Sequence, residues 1–264
     1  MPTEFETASV EFDAETGVGS LTLNRPDSLN ALSDQLRSDI IAGLEELEAE
    51  NDDVDGIALR AVVIEGAGGN FCAGADINEF SDSSPGDKSD RSHYEFIRNF
   101  PVPVIAKVSG YCLGGGLETA MCCDFRIAHE EARLGLAEVN LGLIPGAGGV
   151  QLLSELASPA AAKEIAMTGD HISADRACEL NLVREVYGAE FDDAVAEFAE
   201  TIASKPPLAI QAIKRSAAIA AQTGVEEGVA YDRQQFESLL ETEDHKEGVR
   251  AFAEDDYEPT FTGR

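Results

Sequence analysis

Apolar and polar positions alternate over residues 8–12 and again over 18–24, on either side of a glycine-containing turn, which predicts a β-hairpin. Arg25-Pro26 ends the second strand. The period then changes: Leu36, Ile40, Leu44 and Leu47 recur at helical spacing behind Ser33 as N-cap, with acids on the other face as far as Asn51. The β-branched run at 61–65 predicts a buried strand, followed by the loop 66–70 and a small-residue stretch over 71–77. Residues 81–90 are the most polar of the chain and predict a mobile loop. A helix over 94–100 is stopped by Pro101 and Pro103, and an apolar strand over 104–108 leads to Gly114-Gly115-Gly116 and a helix over 117–123. A strand at 125–128, a third glycine-rich loop at 137–149 and a helix at 150–156 follow.

Beyond residue 160 the pattern is mostly helical: 160–167, 174–180, a strand at 183–186, then 192–204. After Lys205-Pro206-Pro207 come helical runs to Gly224, to Leu240 and from Glu243 to Phe252. This order predicts an α/β body over 1–204 and a helical appendage over 205–264, whose apolar faces need a second subunit to bury them. Strand, strand and helix repeat along the body, and no GxGxxG falls between a strand and a helix as a dinucleotide fold requires.

Composition changes the picture in one respect. Fifty Asp and Glu against nineteen Lys and Arg give a formal charge of −31, spread from Glu4 to Glu258. Self-repulsion on that scale favours a salt-rich cytoplasm, as in extreme halophiles, and argues against nucleic acid or anionic membranes as partners. It also means that only position can make a carboxylate interesting. The five cysteines, Cys72, Cys112, Cys122, Cys123 and Cys178, have mostly apolar neighbours and no zinc-site spacing, so they read as buried thiols in a reducing compartment. The amino-terminal segment lacks the apolar core of a secretory leader, and no apolar run reaches membrane-spanning length. A soluble, cytoplasmic protein with no metal site is expected.

The candidate chemistry lies in the small-residue loops. At Gly114–Gly116 a backbone without side chains lets a ligand approach main-chain N–H groups, and the next polar side chain is Glu118. That combination suits a reaction that builds negative charge on an oxygen and moves a proton. On these residues alone the triplet could equally be a tight packing turn, Glu118 a helix-start carboxylate and Glu138 a surface acid. His93, His129, His171 and His245 fall outside the loops and read as surface or structural.

Taken together, Asn24-Arg25-Pro26 with Leu29-Asn30-Ala31-Leu32, the stretch 71–77, Gly110 to Asp124, Leu141 to Gly149, Thr168-Gly169-Asp170 and Asp244–Gly248 with Phe252 closely resemble the crotonase (enoyl-CoA hydratase/isomerase) superfamily, in family order over nearly the whole chain. The resemblance implies a spiral of ββα repeats with a helical C-terminal region that forms a homotrimer or a dimer of trimers. It implies an acyl-CoA thioester as ligand and no separate cofactor, coenzyme A being part of the substrate. The family's oxyanion hole maps onto the N–H groups of Ala75 and Gly115, and its substrate loops onto Gly74, Ala75, Asp76, Ile77, Gly114 and Gly115. Its two hydratase glutamates map onto Glu118, which would activate water, and Glu138, which would protonate C2.

Asp76 is expected to accept backbone hydrogen bonds in its own loop. Two departures fall at the phosphate end of the ligand. Asn78 stands where the family often has lysine, and Ala253-Glu254-Asp255-Asp256-Tyr257 where it often has basic residues. Arg25, Lys246 and Phe252 are the remaining candidates there. The expected activity is hydration of a 2-enoyl-CoA in fatty-acid or branched-chain breakdown. The alternatives are a Δ3,Δ2-enoyl-CoA isomerase and a non-catalytic or RNA-associated relative. The charge disfavours the last, and both glutamates are present.

Overall fold

A computed structural model describes residues 2–76, 79, 92–254 and 256–264. Ile77, Asn78, Asp255 and the polar stretch 81–90 lie outside the described residues. The alternating segments form strands where expected: β1 (Thr3–Glu4), β2 (Ala8–Asp13) and β3 (Val18–Leu23) make an antiparallel meander. The uniformly apolar runs become parallel strands, because only a strand covered on both faces can bury side chains that point both ways. These are β4 (Ala61–Gly66) and β5 (Val104–Val108), joined by β7 (Phe125–His129) and β10 (Glu185–Tyr187) in a seven-stranded sheet of order β1-β2-β3-β4-β5-β7-β10.

A second layer holds β6 (Tyr111–Leu113), β8 (Arg133–Gly135) and β9 (Ile172–Ser173). Single parallel bridges, Cys72 to Cys112 and Leu32 to Ala75, extend it. After each of β3, β4, β5 and β7 the chain thus contributes a short extended piece to this layer before moving on. The result is a spiral of strand–strand–helix turns, and it lines up Leu32, 72–75, β6 and β8 side by side. Strands of two or three residues have no readable period, which is why the second layer is invisible to sequence reading.

The helices are α1 (Asp34–Glu48), α2 (His93–Arg98), α3 (Gly115–Cys122), α4 (Gly149–Leu156), α5 (Pro159–Thr168), α6 (Ala174–Glu179), α7 (Phe191–Ala203), α8 (Pro207–Ala220), α9 (Val225–Leu239) and α10 (Glu243–Ala253). Ser33 caps α1 as its sequence position predicts, its hydroxyl accepting from the Leu36 N–H at 3.1 Å, and Leu36, Ile40, Leu44 and Leu47 are buried. Helix α3 starts at Gly115 rather than Leu117, inside the glycine triplet, and all eight of its residues are buried. Strand β10 begins two residues later than the expected 183–186, because the Leu182 and Val183 N–H groups both turn back to the Ala177 carbonyl. Four cysteines are buried as expected, whereas Cys178 is only half-buried.

His93 proves structural rather than superficial. It is buried, and its Nε2 lies 3.2 Å from the Thr119 hydroxyl oxygen, which donates to the Gly115 carbonyl at 2.9 Å. Burial lowers its pKa to about 3, so the ring is neutral. Helices α8 to α10 expose Ile213, Val225, Val229, Phe236, Val249 and Phe252, and α9 buries no residue at all. Among the described residues no helix is long and apolar enough to cross a membrane.

Asn30 fastens the spiral near the loops of interest. It sits fully buried with φ 55, a conformation asparagine tolerates better than most residues. Its Oδ1 accepts from the Arg25 N–H at 2.8 Å, and its Nδ2 donates to the carbonyls of Ala67 (2.9 Å) and Asn70 (2.7 Å). Replacing Asn30 by Ala orphans three part-buried backbone groups. The expected cost is roughly 2–4 kcal/mol in denaturant unfolding measured in molar KCl. A loss below about 0.5 kcal/mol, the scale of an ordinary surface substitution, contradicts the latch.

Candidate active site

Each glycine of the triplet meets a different steric demand. Gly114 has φ 50 and ψ −125, in the left-handed half of conformational space where side chains are strained. A Cβ on Gly116 would lie 2.2 Å from the Cys72 carbonyl oxygen, so α3 can rest on the 72–75 segment only without one. On Gly115 a Cβ would come within 2.9 Å of the Tyr94 hydroxyl and 3.1 Å of Leu32 Cδ1, in a gap 3.8 Å from the Ala75 nitrogen. From the facing side, a Cβ on Gly74 would lie 3.9 Å from the Gly115 nitrogen. Two segments far apart in sequence therefore present Ala75 and Gly115 to one narrow cleft. Gly115 opens α3, where N–H groups have no intrahelical acceptor. Neither its N–H nor that of Ala75 donates to any described residue.

Both expected glutamates border this cleft. Glu118 lies one turn into α3 and is only 3% exposed. Burying a carboxylate is costly unless donors meet it. The third glycine-rich loop supplies them: the Ala147 and Gly149 N–H groups each donate to Glu118 Oε1 at 2.8 Å. Oε2 makes no hydrogen bond to a described residue. A Cβ on Gly149 would lie 2.9 Å from Oε1, which explains the small residues of that loop. Burial raises the Glu118 pKa most, the two N–H donors pull it back, and the nearby Glu138 charge raises it again.

Glu138 begins a short 3-10 turn (Glu138–Leu141) after β8. Its Oε1 lies 3.0 Å from where a Cβ of Gly114 would stand, so it faces the triplet. Its Oε2 is buried without a hydrogen-bond partner among the described residues. Burial raises its pKa, opposed only by its own N–H. The two carboxyls thus differ in kind. Glu118 is clamped by two outside donors, which favour the anion; Glu138 has no such support, which favours the neutral acid.

Asp76 has a partner outside its own loop. Its carboxylate takes the Arg25 guanidinium at 2.8 Å, and Arg25 also donates to the Ala31 carbonyl. Arg25, a candidate for the phosphate end, is therefore engaged in fixing the 72–76 segment against the Leu29–Leu32 turn. Lys246 and Phe252 sit on α10, far along the chain. Lys246 is exposed, with no described hydrogen bond or ion pair, and Phe252 is 95% exposed. No described contact brings either one to the Ala75–Gly115 cleft. Ile77 lies outside the described residues. No group of three His, Cys, Asp or Glu suited to a metal occurs among those described.

Sequence reading missed three contributors. The Ala147 and Gly149 N–H groups left only a run of small residues as a signal. Tyr94, whose hydroxyl abuts Gly115, left none, being one aromatic among the apolar positions of a short helix.

The comparisons with known proteins agree with this geometry. Residues 13–264 match the family model for enoyl-CoA hydratase/isomerase. A probable enoyl-CoA hydratase of Mycobacterium bovis is 37% identical over 266 residues, covering 98% of this chain and 99% of its own. A short-chain-enoyl-CoA hydratase of Clostridium acetobutylicum is 38% identical over 258 residues, covering 94% of this chain and 96% of its own. Among solved structures, an enoyl-CoA hydratase from Mycobacterium tuberculosis superposes with TM-score 0.89 at 31% identity, covering 98% of this chain and all (100%) of that one. One from Bacillus anthracis gives TM-score 0.84 at 34% identity, covering 98% of this chain and 100% of that one. With its spiral of strands, its C-terminal helices and its cleft at the start of α3, the chain belongs to the enoyl-CoA hydratase/isomerase family, the crotonase superfamily.

Proposed function

We propose that the chain is an enoyl-CoA hydratase, adding water reversibly across the 2,3-double bond of a 2-enoyl-CoA to give the 3-hydroxyacyl-CoA. One observation carries this reading: two backbone N–H groups, Ala75 and Gly115, that donate to no described residue share a cleft with the buried Glu118 and the half-buried Glu138, two carboxyls of unlike environment. The thioester oxygen is bound between the two N–H groups. As hydroxide character adds at C3, charge moves onto that oxygen, and fixed donors there lower the barrier by about 3 kcal/mol each. Glu118, anionic and clamped through Oε1, takes the proton of the attacking water with Oε2. Glu138, whose burial without outside donors favours its protonated form, delivers a proton to C2. In dehydration the roles reverse.

No resident cofactor is required by this scheme. The exposed apolar positions on α8 to α10 support assembly as a trimer or a dimer of trimers through the 205–264 region. The charge of −31 supports a salt-rich cytoplasm. Short- to medium-chain acyl groups, and a place in the breakdown of fatty or branched-chain acids, complete the reading. Lys246 and Phe252 are retained as contacts for the phosphate end, with Arg25 acting chiefly through Asp76.

Three outcomes follow. Loss of enoyl absorbance from crotonyl-CoA in molar KCl should be readily measured for the native protein and fall by about a thousandfold in Glu118→Gln and in Glu138→Gln. Undiminished hydration in both variants rules the mechanism out, and conversion of 3-enoyl-CoA without hydration identifies an isomerase instead. The acid limb of kcat/KM should lie above pH 4.5, since burial raises the Glu118 pKa. In the residual activity of Glu138→Gln the alkaline limb should disappear, because it belongs to loss of the Glu138 proton; an alkaline limb unchanged in that variant contradicts the assignment. Finally, the thermal midpoint should rise between dilute buffer and molar KCl as screening relieves self-repulsion. A flat midpoint removes the salt-rich setting.

A further inference from the structure

Hydration of a simple enoyl thioester uses no cation, yet one faces the reacting end of this cleft. Arg37, in the first turn of α1, is half-buried, and its Nη2 donates to the Leu32 carbonyl at 3.3 Å. Leu32 is the residue that bridges to Ala75 and lies against Gly115. The same guanidinium lies near the Tyr94 phenol, whose oxygen would stand 2.9 Å from a Cβ on Gly115. The Tyr94 ring is held in turn by His93, with ring centroids 3.8 Å apart. The Arg37 charge also acts on Glu118, Cys72 and His93, which places it near the cleft. Fifty acidic side chains are available in this chain, but among the described residues no carboxylate pairs with Arg37.

A guanidinium and a phenol beside an acyl cleft discriminate by what they lose. A hydrocarbon chain packed over them strips their water and offers no acceptor in return. An acyl chain bearing a carboxylate restores the hydrogen bonds and adds charge attraction in a poorly screened site. Arginine suits that task because its planar fork can take both carboxylate oxygens. The geometry points to the Arg37–Tyr94 pair as a specificity element that selects 2-enoyl-CoA substrates whose acyl chain carries a carboxylate. This rests on the reading of the cleft as an enoyl-CoA site and names the acyl class it prefers. His93 acts as a positioning residue for Tyr94, held neutral by burial so that it adds no second cation.

The test compares two six-carbon ligands, one ending in a carboxylate and one in a methyl group, both as saturated CoA thioesters for calorimetric binding and as 2-enoyl-CoAs for turnover. The native protein should favour the carboxylate form by about ten- to a hundredfold in Kd and in kcat/KM. Arg37→Met should bring both ratios to one or below, Tyr94→Phe should reduce them in part, and Arg37→Lys should keep a part. A native binding ratio of one or less overturns the inference. So does a ratio unchanged in Arg37→Met, including the case in which every CoA thioester weakens equally, which would assign Arg37 to the coenzyme. If Arg37→Met does not fold by circular dichroism, Tyr94→Phe and Arg37→Lys carry the comparison. Binding discrimination without crotonyl-CoA hydration would fail the hydratase reading alone; hydration without discrimination would fail this inference alone.

Discussion

Everything at the centre of this molecule depends on how closely two backbone segments approach. Helix α3 rests on the 72–75 segment at a distance that no side chain on Gly116 would permit, with a Cβ there only 2.2 Å from the Cys72 carbonyl oxygen. That approach holds Ala75 and Gly115 across a gap with their N–H groups unclaimed by described residues. Unclaimed N–H groups away from water are costly, and a fold keeps them only where the surroundings over-determine the arrangement. Here the surroundings are identifiable. Asn30 ties the Arg25 turn to the Ala67–Asn70 loop, Arg25 holds Asp76, and His93 reaches Thr119, whose hydroxyl secures the Gly115 carbonyl.

The same closeness creates the difference between the two carboxyls. Glu118 is on a helix buried on all sides, so it must bring donors with it, and the Ala147–Gly149 loop supplies two to one oxygen. Glu138 enters from the far side of the triplet with no comparable donors. Burial raises both pKa values, but outside donors oppose the rise at Glu118 alone, a bias set by backbone placement. In the proposed reaction that bias separates the group that removes a proton from the group that supplies one.

Much of this was legible in the chain. Long amphipathic or uniformly apolar segments, such as α1 and β5, announce themselves because burial repeats along them. The three glycine-rich loops were visible as well, and so was Glu118 beside the triplet, whereas Glu138 stood out only through the resemblance to the family. The second sheet was not, since β6, β8 and β9 are too short to show a period. Nor were the Glu118 clamp and the Arg37–Tyr94 contact. Main-chain donors at Ala147 and Gly149 have no residue signature, and Arg37 meets Tyr94 only because the spiral stacks α1 beside α2. Asp76 shows a partner that local sequence does not reveal: an arginine 51 positions away pairs with it.

The central claim is that the Ala75 and Gly115 N–H groups converge on one substrate oxygen. It is tested most directly by following those two amides in 1H–15N spectra, in molar KCl, on addition of butyryl-CoA and of its S-butyl thioether, which lacks the carbonyl. The account predicts that both amide protons move downfield with butyryl-CoA and stay in place with the thioether. Equal movement with both ligands, or none with butyryl-CoA once it is bound, would contradict it.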